Sequence, residues 1–377
     1  MAVEIRQAAT SRELAEFVDL PFGLHSSHPL WVPPLKKQEL ELITPGRHPF
    51  WQTARRELFM AYRDSRPVGR IAAIIDAKYN AYAGQACGSF GFFECENDPE
   101  AASALLNAAS GWLSGEGMTF MRGPLNPSMN YTCGALVAGF DLAPSLMMPW
   151  NPDWYPVLLE TWGLRKEQDL FAYLIDSASL ALPENIKAEA ARLKQAARFT
   201  YRSPTRASMT EDIHAMLDIY QKAWAANWGF SPLSEAEAKA HVRELKSILD
   251  PEFFVLFFDG AKPVAGMVAL PDMNPLLSRL GGSLGLSAPW HYWRSRKQIA
   301  AGMRIMLFGI LPEYRLQGLP LLLLDYMLEH AGRKPGLKWV EGSWILEDNF
   351  AMNDLMEDFS GRLAKRYRIY RREIGQC

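Results

Sequence analysis

The chain has 377 residues, of which 49% are hydrophobic and 22% charged, the balance of a globular protein with room for two domains. A formal net charge of −2 excludes the polycationic character of a general nucleic-acid binder. Four cysteines, Cys87, Cys95, Cys133 and Cys377, share no paired spacing, which excludes a disulfide framework and Cys-based zinc sites and points to a reducing, cytoplasmic compartment.

In chain order, MAVEIRQAATSRELAEF brings acidic residues early and has no apolar core, so it is not read as a secretory leader. No apolar run is long enough to span a membrane. Residues 58–73, LFMAYRDSRPVGRIAA, give two short strands about a tight turn. SFGFFEC around Phe90 gives a strand, followed by an Ala-rich helix and the strand TFMRGP. A long non-helical connection follows, RGPLNPSMNYTCGALVAGFDLAPSLMMPWNPDWYP, holding Asn126, Asn130, Tyr131, Trp150, Asn151 and Trp154. Long ordered loops rich in amide and aromatic side chains are commonly functional. Two readings stand: a wall against a substrate, or a loop folded over for packing alone. VLLETWG near Gly163 then leads into the aromatic strand LFAYLI.

An Ala- and charge-rich stretch, 182–197, predicts a linker helix. The order of elements then repeats. A short strand is followed by helices over 211–224 and 234–249, the second headed by a capping box at Ser234. The paired strands FVLFF and KPVAGMVA come next, then MLFGILP around Phe308, a Leu-rich helix, and the strand KWVEGS. LMEDFSG near Gly361 leads into YRIYRR. Pro263 follows Pro67 by 196 positions, and Gly361 follows Gly163 by 198. One unit is therefore read twice, over 1–176 and 200–377, with 177–199 between them. The pattern predicts mixed α/β (α+β) units, each a mostly antiparallel sheet flanked by helices.

The halves differ in one place. Pro67 to Phe90 is 23 positions, whereas Pro263 to Phe308 is 45, so the second half carries 22 extra residues. They include PLLSRLGGSLGLSAPWHYWRSRKQ, in which Trp290, Tyr292 and Trp293 stand beside Arg294, Arg296 and Lys297. Aromatics beside cations suit a lipid headgroup boundary. The same residues equally suit a roof over a long acyl chain, or a satellite cluster packed on the first unit. Residues 281–285 match the G-x-S-x-G elbow of serine hydrolases, but no buried strand precedes them and Pro289 blocks a long helix. Motifs for a Walker phosphate loop, a zinc protease or a dinucleotide fold are absent. The seven histidines are scattered, and no metal site is expected.

The strongest local signal is FGILPEYRLQGLPLLLLDYMLEH: a strand ending at Pro312, a turn with Arg315-x-x-Gly318, and a helix from about Pro320. A helix N-terminus after a glycine turn offers unpaired N–H groups and a positive dipole end, a ready seat for pyrophosphate. With KWVEGS, EDNFAMNDLMEDFSG and a terminal aromatic strand after it, this order resembles the GNAT superfamily of acyl-CoA N-acyltransferases. The resemblance is good over 306–373, weaker over 200–269, and architectural only in the first half. It implies a coenzyme A thioester as co-substrate, with Phe308, Gly309, Ile310 and Leu311 along the thioester. Arg315, Leu316, Gln317, Gly318 and Leu319 would lie around the pyrophosphate, and Asn349 matches the family's Asn after its fifth strand. The Ile310 amide would hold the oxyanion.

The sequence departs from the pattern at Pro320, which deletes one N–H, and at Met356, where many members carry a catalytic Tyr. The first half has acidic residues where phosphates would sit, so it reads as a degenerate unit. Glu341 shares a strand face with Trp339 and Ser343 and is the candidate base; the other reading pairs it with a neighbouring Lys or Arg. The implied reaction moves an acyl group from coenzyme A or an acyl-carrier protein to a small-molecule or lipid amine. Asn126, Asn130, Tyr131, Trp150, Asn151, Trp290 and Trp293 are the candidate substrate residues. Peripheral contact with the inner membrane face would run through 275–297. Bacterial ceramide synthases are likewise GNAT-like. Peptidoglycan-bridge transferases share the tandem architecture, but the lack of a basic surplus argues against a tRNA substrate. Pro320 and Met356 keep open a non-catalytic thioester- or lipid-binding protein.

Overall fold

The computed structural model describes residues 2–179 and 184–375. Its contacts divide the chain into two compact units. One holds the described residues up to Leu170, with Leu276–His291 and those from Lys365 onward; the other holds Phe171–Pro275 and Tyr292–Ala364.

In the first unit, β1 (Glu4–Gln7), α1 (Ser11–His25) and α2 (Lys36–Ile43) precede a hairpin of β2 (Ala54–Arg63) and β3 (Arg66–Asp76). Then come α3 (Ala77–Ala83), β4 (Cys87–Cys95), α4 (Pro99–Gly115), β5 (Phe120–Gly123) and the short strands β6 (Leu125–Asn126), β7 (Thr132–Cys133) and β8 (Ala135–Ala138). Helix α5 (Trp154–Thr161) leads into β9 (Arg165–Asp176), which the division splits after Leu170. Strands β1 to β4 pair antiparallel in sequence order, and β4 pairs with β5 in parallel. The alternation of a strand sorts its side chains between two cores. Phe59 and Ala61 face the cluster of α4, with Leu105, Leu106 and Leu113, whereas Leu58, Met60 and Tyr62 face Phe17, Val18 and Leu20 of α1.

In the second unit the end of β9 is followed by α6 (Glu184–Gln195), so the predicted linker helix is present from Glu184, and residues 182–183 of that expectation lie outside the described residues. After β10 (Thr200–Arg202) come α7 (Met209–Trp224) and α8 (Glu235–Lys246), whose N-cap Ser234 and Glu237 form the expected capping box. The hairpin of β11 (Phe254–Asp259) and β12 (Lys262–Pro271) is followed by α9 (Asn274–Leu280) and α10 (Ala288–Ile299). Residues 281–285 are thus the turn between two helices, and the strand that a nucleophile elbow needs is not there. Then come β13 (Gly302–Ile310), α11 (Leu319–Arg333), β14 (Trp339–Leu346), α12 (Phe350–Asp358) and β15 (Arg362–Glu373). The sheet runs β14-β13-β12-β11-β10, antiparallel except for β13–β14. From Lys365 onward β15 belongs to the first unit, where it pairs antiparallel with β5 and β8.

Hydrogen-bond register corrects one alignment made from sequence. Gly69 pairs with Cys95 and Arg70 with Glu94, while Ala265 pairs with Ile310 and Gly266 with Gly309. Phe93 is therefore the counterpart of Phe308, three positions beyond Phe90, and the second half is longer by 19 residues rather than 22. Matching the two Phe-Gly dipeptides misled the comparison, because a bulge in each strand consumes residues at different places.

Candidate active site

The site is made where two parallel strands part. β13 and β14 pair from Gly302 with Trp339 to Ile305 with Gly342, and no further pairs follow although both strands continue. Met306 is the bulged residue, skipped between the partners of Val268 and Ala269. The opening holds a cavity. Met306 and Phe308 line it from β13, Ser343, Trp344 and Ile345 from β14, Trp224 and Asn227 from the end of α7, and Asn349, Met352 and Met356 from α12. Ser343, Asn227 and Asn349 are its polar side chains, and no charged side chain lines it. Such a wall accepts an apolar group and orients it with few hydrogen bonds.

Backbone geometry supplies a donor. The Leu311 amide donates to Val264 O at 2.9 Å. Successive amides point to opposite sides of a strand, so the Ile310 amide points away from β12, toward the side where β14 has departed. The first unit shows the same amide closed off. There Glu96 donates to Val68 O, and the amide of Cys95, the counterpart of Ile310, donates to Tyr155 Oη at 2.9 Å. The Phe92 amide donates to Asn126 Oδ1 at 2.6 Å. Gly91, the partner of Ala72, lies so near Leu125 that a Cβ would stand 1.7 Å from its carbonyl oxygen. Glycine lets the backbones touch and seams the first cleft; in the second unit Leu307 holds that register position, and the bulged Met306 beside it lines an open cleft.

The predicted pyrophosphate turn forms as strand, 3₁₀ turn and helix. Gly318 is the N-cap of α11 at φ +79°, and no side chain caps the helix. The first-turn amides are thus left for a ligand, apart from the one that Pro320 lacks. On its Cα side Gly318 is covered, since a Cβ would meet Leu193 Cδ1 of α6 at 2.5 Å. Arg315 Nη2 donates to Ala223 O at 2.5 Å, tying the turn to the end of α7, and Gln317 Nε2 donates to Glu313 O. Leu316 is fully exposed and Leu319 buried. Gly309 packs toward Ile219 of α7, and Leu311 is buried. Asn349 caps α12, accepting from the Met352 amide, and lines the cavity.

Glu341 is fully buried and stands opposite Arg304 in the strand register. Ser343 links it to the cavity: its hydroxyl donates to Glu341 Oε1 at 2.8 Å and accepts from Arg304 Nε at 2.9 Å. Both readings of Glu341 thus meet in one cluster, with a cation nearby and a hydroxyl between carboxylate and cavity. Met356 packs against Gly342, its sulfur 2.9 Å from where a Cβ would be. It has no proton to give a leaving group.

The candidate substrate residues of the first half are placed differently. Asn126 fills the seam just described. Asn151 is buried, accepting from the Leu136 amide and donating to the carbonyls of Leu136 and Pro152. Tyr131 packs edge-on against His48 and Phe50, and the Asn130 amide donates to Ser128 Oγ. Trp150 lies against His25 and His28. Trp290 and Trp293 are more than half exposed on α10, outside the lining of the cavity.

No family model matches the chain. Among solved structures, a tandem GNAT protein from clavulanic acid biosynthesis superposes with a TM-score of 0.56 over 99% of both chains at 12% identity. A GCN5-related N-acetyltransferase of Sphaerobacter thermophilus gives 0.53 over 99% of this chain and 96% of its own. Protein YghO of Escherichia coli is 30% identical over 98% of this chain and 95% of its own length. The bacterial ceramide synthase of Caulobacter vibrioides is 32% identical over 97% and 96%. The chain belongs to one family with these two relatives, and its fold is that of the tandem GNAT structures. The sequence alone does not single out Trp224, Asn227, Met306, Trp344 and Met352 of this cavity. The tryptophans were visible as unusual residues, but only the fold brings Trp224 within 5.6 Å of Trp344, ring centre to ring centre.

Proposed function

We propose that the second unit of this GNAT protein moves a long-chain acyl group from a coenzyme A thioester to the amine of a lipid. The observation that carries the reading is that strand alternation turns the Ile310 amide to the side where β14 parts from β13, when its counterpart in the first unit is bonded to Tyr155. The name of the ceramide synthase relative supports a lipid amine. The uncapped N-terminus of α11 fits a pyrophosphate through its amides.

A thioester bound there supplies the activated carbonyl. The chain's own groups do the rest. The Ile310 amide stabilises the developing negative charge on the carbonyl oxygen, a contribution that in comparable sites amounts to roughly 3 kcal/mol. Trp224, Phe308 and Trp344 exclude water from the acyl group. The amine proton passes to Ser343 Oγ as Ser343 gives its own to Glu341, since the hydroxyl already donates to that carboxylate. The C–N bond forms as C–S breaks, and with methionine at 356 the thiolate takes its proton from solvent.

The test is an assay of free thiol release with an acyl-coenzyme A series and a pool of amines, with the amide product read by mass spectrometry. Long-chain donors and long-chain amino alcohols are expected to react best. Ser343→Ala and Glu341→Gln should each lower kcat about 10²-fold, while thioester affinity is kept. Absence of thiol release with every donor, in protein shown to be folded, would sink the reading.

A further inference from the structure

The segment between β12 and β13 has no role in the chemistry above, yet it is unusual in the chain. Of the large apolar side chains that stand exposed among the described residues, five fall within ten positions: Leu284, Leu286, Trp290, Tyr292 and Trp293. Leu286 is fully exposed, and Trp290 and Trp293 are 53% and 60% exposed. Scattered apolar residues on a surface need no explanation, but a concentrated patch does.

Helix α10 is held by a narrow stripe. Ser295 and Ile299 are buried, with Ala288 and His291 partly so, and Ser295 Oγ donates to Pro275 O. That spacing is one helical face. The rest of the helix is turned outward, and on it Trp290, Trp293, Arg294 and Lys297 fall at positions three, four and seven apart. Arg296 lies over the Trp293 ring, 4.5 Å from its centre. Charge has one sign here. From Met273 to Pro312 the chain has no Asp or Glu, and it carries Arg279, Arg294, Arg296, Lys297 and Arg304.

We infer that the 281–287 turn and the outer face of α10 dock the protein on an anionic lipid bilayer. Leu284 and Leu286 enter the acyl boundary, the indoles lie at headgroup depth, and Arg294 and Lys297 meet the lipid phosphates. The absence of acids decides for a membrane over a second copy of this chain, because two like-charged copies of this face repel. The inference deepens the proposed function, since a lipid amine resides in a membrane, but it rests on a different set of residues.

The experiment is sedimentation of the full chain with vesicles of phosphatidylcholine alone and with one-third phosphatidylglycerol, at low and high salt. Binding is expected to the anionic vesicles and to weaken with salt. Trp290→Ser/Trp293→Ser should weaken it at least tenfold. Arg294→Glu/Lys297→Glu, which keeps the aromatics, should weaken it about tenfold on anionic vesicles. Leu286→Asp should lose vesicle binding while thiol release from a soluble short-chain donor stays as in the parent. Equal binding by parent and all three variants overturns the proposal, as does parent protein that stays in the supernatant. So does a concentration-dependent dimer that these variants dissolve without any vesicle binding. Vesicle binding lost on mutation in a protein that never releases thiol would leave the docking inference standing and remove the acyltransferase reading.

Discussion

At the scale of single residues, Tyr155 explains why one unit is closed. Its hydroxyl accepts from the Cys95 amide and donates to Glu94 Oε2 at 2.7 Å, and that oxygen also meets His25 Nε2 at 2.8 Å. Burial drives the Tyr155 phenol well above its ordinary value, with the Glu94 charge adding to it. Tyr155→Phe leaves a buried amide and a buried carboxylate each one partner short. A loss of about 1–3 kcal/mol is expected in urea unfolding. For Glu94 itself, burial acts to raise the carboxyl, but His25 and Arg70 outweigh it and hold it below the ordinary range. A depressed carboxyl contributes stability that is complete above its unfolded value, about 4.3, and is lost as pH falls through the lower folded value. The unfolding midpoint should therefore drop on acidification below that point, and Glu94→Gln should flatten the drop.

At the scale of elements, the turn before α11 carries two loads at once. Gly318 must adopt a positive φ, and it must leave room for Leu193. Any side chain there is strained twice, so loss of thioester binding in Gly318→Val could not be assigned to phosphate contact alone. Gly318→Ala should cost about 2 kcal/mol of stability, from the left-handed backbone and the collision together. Combining it with Leu193→Ala should recover the steric part and leave the backbone part, so the two changes are expected not to add in a double-mutant cycle. Strict additivity would mean that α6 does not press on the turn. The register of β4 and β13 makes a second point about elements. Both strands bulge beside a parallel neighbour, but at different positions: the first cleft is seamed where Gly91 meets Leu125, and the second is lined by the bulged Met306.

For the whole molecule, the repeat does not imply two equal sites. The first cleft is seamed by Gly91, Asn126 and Tyr155, and the second is open. Titration of the full chain with an acyl-coenzyme A in a calorimeter should give one site per chain. A stoichiometry of two would show that the seam opens. The chain has no helix among its described residues long and apolar enough to cross a membrane, so access to a lipid substrate would fall to a surface such as α10.

Much of this was legible from residues alone, because it depends on local order. The tandem repeat, the strand–turn–helix at Arg315–Leu319 and the capping box at Ser234 follow from short-range patterns of apolar residues, turns and caps, whereas the departures at Pro320 and Met356 stand out only against the family the chain resembles. Those patterns act within a few residues of chain. What tertiary structure decided depends on neighbours far apart in sequence. Register, set by hydrogen bonds and bulges, moved the counterpart of Phe308 from Phe90 to Phe93. Packing turned Asn126, Asn151 and Tyr155 inward as partners of backbone amides, roles that an amide or phenol in a sequence does not disclose. The approach of α7, α12 and the parted strands built the cavity from Trp224, Met306, Trp344 and Met352, and burial placed Ser343 between that cavity and Glu341. A sequence states which groups are available; which of them are satisfied by the fold, and which remain to meet a substrate, is settled only when distant strands come within hydrogen-bonding distance.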